Sequence, residues 1–206
     1  MADYFALLSE RRRPWLDTDQ LKQKFLALSA ELHPDRVHGN AADDKQRAQE
    51  RYTELNSAYQ CLLQPRDRLA HLIEIESSQK PPAIQTAPPA LMDLFLEIGE
   101  LCREVDKFLA DKRATESPLL QVRMFAPGQV LTDRINSLQQ RLRAIALEGE
   151  AALQKQNIAW EKAPPIGDPS RLAALPLTEL EEHYRTFSYI SRWSAQLQER
   201  LVQLAL

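Results

Sequence analysis

His33, Pro34 and Asp35 are consecutive, and His38 follows three residues after Asp35. An imidazole and a carboxylate held beside a proline can relay a proton, ligate a metal or hydrogen-bond a docking partner. A metal site needs three or four ligands at suitable spacing, and no third ligand of fitting spacing appears. No Gly-rich phosphate loop and no activated nucleophile accompanies the pair. His71 and His183 lie inside helical patterns, where partly exposed surface positions are expected. Cys61 and Cys102 are far apart, each within an apolar helical pattern, and read as free buried thiols rather than a disulfide or metal pair. These residue types argue against an enzyme, and neither a metal nor a cofactor is expected. A rigid polar tip suited to recognition is left.

The elements around that tip read as helices. Hydrophobic residues make up 44% of the 206 residues and charged ones 27%, with only five glycines, a balance that favours helix over sheet. The net charge of −3 gives no case for nucleic acid, which needs a clustered basic surface. The one basic run, Arg11-Arg12-Arg13, precedes Pro14 and reads as a solvated loop. No stretch approaches the apolar length of a membrane span and the N-terminus has no secretory pattern, so a cytoplasmic protein without membrane contact is expected.

A short helix over residues 3–9 carries Tyr4, Phe5 and Leu8. Asp17 or Thr18 can cap a second helix, whose Leu21, Phe25, Leu28 and Leu32 form one stripe ending at Pro34. After a polar loop, a third helix from about Asp43 to Leu63 places Ala48, Tyr52, Leu55, Tyr59 and Leu62 on one face. A fourth runs from Arg66 to Ile75. The segment KPPAIQTAPP has four prolines in ten residues and reads as a linker, dividing the chain into 1–76, 77–88 and 89–206. Three longer apolar patterns follow: Leu91, Leu94, Ile98, Leu101, Val105 and Phe108; then Leu131, Ile135, Leu138, Leu142 and Ile145; then Leu180 to Leu204. Their spacing predicts an antiparallel three-helix bundle. Ser117-Pro118 with Pro127-Gly128, and Pro164-Pro165 with Gly167 and Pro169, read as the two connections, near 113–128 and 158–178.

The order of these features carries a resemblance. A short aromatic-led helix, a capped helix ending in His33-Pro34-Asp35, an exposed loop, and a helix holding Asn56, Ala58, Tyr59 and Leu62 before Pro65 resemble the J-domain of the DnaJ-type co-chaperones over residues 3–75. The resemblance implies an all-α fold, a J-domain followed by the three-helix bundle. It also implies that the tip stimulates ATP hydrolysis by a heat-shock-70-type chaperone of the HscA/DnaK class. His33, Pro34 and Asp35, with Lys22, Lys24 and Arg36, would meet that chaperone. Pro34 fixes the backbone, Asp35 can accept charge-assisted bonds from an arginine, and a rigid tip loses little entropy on docking. Residues 1–76 hold 11 Lys and Arg against 13 Asp and Glu, a net charge of −2, and Glu31 stands where a basic residue often precedes the tip, so steering towards an acidic chaperone surface is weak.

No Gly/Phe-rich stretch and no CxxC pair follows. Instead, the run from Leu91 to Leu101 and the run from Ser194 to Leu201, with Tyr4-Phe5 and Arg68-Leu69-Ala70, resemble the co-chaperones of the HscB type, which serve iron–sulfur cluster assembly. That resemblance implies a C-terminal domain that binds the iron–sulfur scaffold protein through Leu91, Met92, Leu96, Glu97, Glu100, Glu104 and Phe187. Independently, Met92 and Leu96 lie four apart on a stripe the bundle seam does not need, beside the three glutamates, as a binding patch with a polar rim would. The alternative is a J-domain protein whose C-terminal helices hold a different client.

Overall fold

The computed structural model describes residues 2–32, 42–81, 83, 84 and 86–205. Its elements are α1 (Tyr4–Leu7), α2 (Thr18–Leu32), α3 (Ala42–Leu63), α4 (Pro65–Ser77), a 3₁₀ turn (Pro89–Leu91), α5 (Met92–Ala114), α6 (Pro118–Lys162), α7 (Arg171–Ala174) and α8 (Leu177–Ala205). No strand occurs among the described residues, so the expected all-α class holds.

The helix starts follow from capping. Asp3 Oδ1 accepts the N–H groups of Phe5 and Ala6, and Asp17 Oδ1 accepts those of Asp19 and Gln20 at 2.9 and 3.0 Å. Pro65 occupies the first turn of α4, where its missing N–H costs nothing. The signature residues of α3 are packing residues. Ala58 and Leu62 are wholly buried, Asn56 Nδ2 donates to the Tyr52 carbonyl, and the Tyr59 ring stacks on Phe25 of α2 with centroids 4.2 Å apart.

The chain divides into two units. The first comprises residues 1–83 and 150–184, the second residues 84–149 and 185–206. This differs from a C-terminal domain running unbroken over 89–206: the last part of α6, all of α7 and the start of α8 group with the N-terminal helices. Polar side chains hold that grouping. Arg68, fully buried, donates to the Pro14 carbonyl (2.8 Å), the Leu62 carbonyl (3.0 Å) and both carboxylate oxygens of Glu150 (3.1 Å each). Asn157 accepts the Trp15 N–H and donates back to the Trp15 carbonyl. Arg171 grips Glu76 through two bonds of 2.8 and 2.7 Å and also donates to the Pro164 carbonyl. Leu153, Trp160, Leu175 and Leu180, in the same unit, are buried. Neither Arg12 nor Arg13 is a free loop cation: Arg12 pairs with Asp3 at 2.8 Å and Arg13 with Glu10 at 3.2 Å.

The second unit is the up-down-up bundle of α5, α6 and α8. Leu94, Ile98, Leu101 and Val105 meet Leu131, Ile135, Leu138 and Leu142 and, from α8, Ile190, Trp193 and Leu197. The apolar stripes therefore behave as expected, whereas the first connection does not. Pro127-Gly128 lies inside α6, and only residues 115–117 separate α5 from α6. Gly128 serves packing rather than a turn, since a Cβ there would stand 3.3 Å from the Phe108 ring. Between residues 118 and 130, α6 exposes Leu119, Leu120, Val122, Phe125 and Val130. The second connection is also shorter than expected, because α6 reaches Lys162 and α7 interrupts the rest.

His71 is buried, not at the surface as expected from its helical pattern. Its Nε2 accepts the Tyr4 N–H at 3.0 Å, and its ring stacks on those of Tyr4 and Phe5. Burial, only partly offset by Asp3 and Glu74 and reinforced by Arg12, holds its pKa below the ordinary value.

Two measurements test this packing. Arg68→Ala strands Glu150 and two buried carbonyls, and denaturant unfolding should show a loss of about 3–5 kcal/mol; a loss within experimental error would remove Arg68 from its central place. Because the folded state holds a proton on His71 less readily than the unfolded chain does, the stability His71 contributes is full above the unfolded pKa near 6.5 and fades as pH falls below it. The slope between pH 6.5 and 5 should drop in His71→Gln by up to about 1.4 kcal/mol per pH unit. His183, also lowered by burial, contributes the part that stays.

Candidate functional site

His33, Pro34, Asp35 and Arg36, with His38, lie outside the described residues; the structure describes α2 up to Leu32 and α3 from Ala42. Of the basic residues expected near the tip, Lys22 is exposed on α2. Lys24 is engaged within its own unit: its ammonium donates to the Ser9 carbonyl at 3.0 Å and to Glu10 Oε1 at 2.8 Å. Glu10 is nearly buried and also holds Arg13, so Lys24 fixes the segment after α1 as well as adding charge to α2.

On α5, the surplus-stripe argument separates surface from core. Met92 is 44% and Leu96 57% exposed, as their position beside the seam requires. Leu91 is 4% exposed because it closes the 3₁₀ turn into the bundle core. Phe187 is likewise 4% exposed, and its ring fills the space over Gly149, where a Cβ would stand 2.9 Å from its Cζ. Neither side chain offers a partner more than a sliver of surface, so the expected direct client contacts at Leu91 and Phe187 do not fit this packing.

Phe95, which the sequence reading passed over, is 46% exposed. It stands three residues from Met92 and beside Leu96, so helical spacing alone places it on the same patch. Its ring lies 6.4 Å from that of Trp193 on α8.

The acidic rim is also altered by tertiary contacts. Glu97 binds Arg141 of α6 at 2.5 Å and Glu104 binds Arg134 at 2.6 Å; Glu100 is exposed with no ion pair among the described residues. The two paired glutamates thus face α6 with their charge matched, and Glu100 is left as the open carboxylate of the three. Neither cysteine is poised for reaction. Burial, then Asp67, pushes the Cys61 thiol up to about 11, and burial raises Cys102 too. Among the described residues no cluster of His, Cys, Asp or Glu could hold a metal, and no helix is long and apolar enough to cross a membrane.

An N-terminal helical hairpin carrying this signature matches the DnaJ domain family over residues 3–71. Residues 3–71 are thus similar to a J-domain. The chain is also similar, in sequence and in fold, to co-chaperones of the HscB type. It is 30% identical over 115 residues to a co-chaperone protein HscB homolog of Chromobacterium violaceum, covering 56% of this chain and 65% of that one. It is 32% identical over 94 residues to the homolog of Neisseria meningitidis serogroup B, covering 45% and 57%. The matches thus span less than two thirds of those relatives' lengths. The fold is that of the chaperone HscB from Vibrio cholerae, at a TM-score of 0.61 and 20% identity over 98% of this chain and 99% of that one. The human co-chaperone protein HscB gives the same TM-score at 18% identity, over 98% of this chain and 81% of that one.

The split between surface and core has a direct test. Leu91→Ala and Phe187→Ala should each cost about 2–5 kcal/mol in urea unfolding. Met92→Ala and Leu96→Ala should each stay within about 1 kcal/mol of the parent. Equal losses in both pairs would place Met92 and Leu96 in the core.

Proposed function

We propose that this protein is a co-chaperone that stimulates the ATPase of a heat-shock-70-type chaperone and delivers to it the scaffold protein of iron–sulfur cluster assembly. The observation that carries the reading is the pairing of a DnaJ domain at residues 3–71, which spans His33-Pro34-Asp35, with an HscB fold. The exposed Met92–Phe95–Leu96 face of α5 supports the client end.

In this reading the client seats its apolar surface on Met92, Phe95 and Leu96, with Glu97, Glu100 and Glu104 at the rim. The tip docks on the chaperone through His33, Pro34 and Asp35, flanked by Lys22, Lys24 and Arg36. Hydrolysis closes the chaperone on the client. The net charge of −2 over residues 1–76, and the engagement of Lys24 with Glu10, leave little long-range attraction, so a dedicated chaperone partner fits better than a promiscuous one.

Two variants separate the two ends. His33→Gln should abolish stimulation of the chaperone's ATPase while leaving scaffold binding intact. Met92→Ala with Leu96→Ala should weaken scaffold binding at least tenfold, about 1.4 kcal/mol, and leave client-free stimulation unchanged. Undiminished stimulation in the first would sink the chaperone role, and unchanged scaffold affinity in the second would sink the client role.

A further inference from the structure

The α5 patch continues into a groove between α5 and α8. Its volume is about 440 Å³, and Phe95, Gly99, Cys102, Tyr189 and Trp193 are among its walls. Gly99 leaves its floor open: a Cβ there would meet only the end of the Arg103 side chain, at 3.7 Å. The charges at this edge are less fully paired than those of Glu97 and Glu104 at the α6 edge. Arg192 lies over the Tyr189 ring, its guanidinium carbon 5.4 Å from the centroid, and no carboxylate among the described residues pairs with it. Arg103 is likewise exposed and pairs with none. Arg200 is engaged, bound to Asp106 at 2.7 Å. At the α6 edge Glu97 and Glu104 are matched by arginines, whereas beside the groove Arg192 and Arg103 have no acid opposite them among the described residues.

Resting on the client-binding role proposed above, we infer that the α5–α8 groove takes a partner segment in which an apolar side chain is flanked by carboxylates. The apolar group enters over Gly99 between Phe95 and Trp193, and the carboxylate meets Arg192. An aromatic-backed guanidinium is held in place and only weakly hydrated, so it gives a carboxylate a directional, charge-assisted bond. The acidity of the partner, rather than apolar area alone, then sets which segment is accepted.

The test uses the full chain and two capped synthetic peptides that share a Leu-Ala-Ala-Phe centre, flanked by Glu in one and by Lys in the other. Amide signals of Gly99 and Gln196 report binding. The Glu-flanked peptide should bind at least tenfold more tightly. Arg192→Gln should erase that preference and Arg192→Lys retain part of it. Gly99→Leu, which the open floor tolerates, should weaken both peptides. Equal affinities, no binding of either, a preference for the Lys-flanked peptide, or a preference that survives Arg192→Gln overturns the inference. Scaffold binding is measured separately: its failure with the peptide preference intact sinks the client's identity and spares the groove.

Discussion

Arg68 is the side chain on which the N-terminal unit depends. A buried guanidinium is costly unless every donor finds an acceptor. Here its partners come from three places: the segment between α1 and α2, the C-terminal turn of α3, and Glu150 of α6. Burial pushes its pKa down and Glu150 offsets that only in part, while the guanidinium's hydrogen bonds meet both carboxylate oxygens. Asn157 and Arg171 repeat the pattern, each satisfying groups of the N-terminal hundred residues from a side chain far along the sequence. Compact units in this chain are consequently not the same as sequence segments.

The same economy of charge shapes the bundle. The residues of α5 sort into three sets by angle around the helix. One stripe is core. One edge, Glu97 and Glu104, is matched by Arg141 and Arg134. Between that edge and α8 lies an exposed apolar strip, Met92, Phe95 and Leu96, that nothing in the bundle covers. Surface ion pairs of this kind add little stability. Their effect is to neutralise one side of the strip and leave the other side cationic at Arg192 and Arg103. A helix that looks acid-rimmed as a string of letters is therefore electrically lopsided once its neighbours are in place.

His33-Pro34-Asp35 lies outside the described residues, so the chaperone end rests on sequence. Its supporting frame does not: Asp17 caps α2, Phe25 stacks on Tyr59, and Ala58 lets the two helices close. Local signals of this kind were legible because capping, proline position and helical spacing act within a few residues. The stripes of α5, α6 and α8 were legible for the same reason.

What the sequence by itself determined is the all-α class, the helix starts, the core stripes, the DnaJ signature and the surplus position of Met92 and Leu96. What only the tertiary structure decided depends on partners distant in sequence. Pro127-Gly128 reads as a turn until Phe108 is seen against Gly128. Phe187 reads as a possible contact until it is seen filling the space over Gly149. His71 reads as a surface residue until Tyr4 donates to it. Glu97 and Glu104 read as open charges until α6 brings its arginines. Periodicity records which face of a helix is apolar; it carries no record of which distant side chain that face, or its charged edge, will meet.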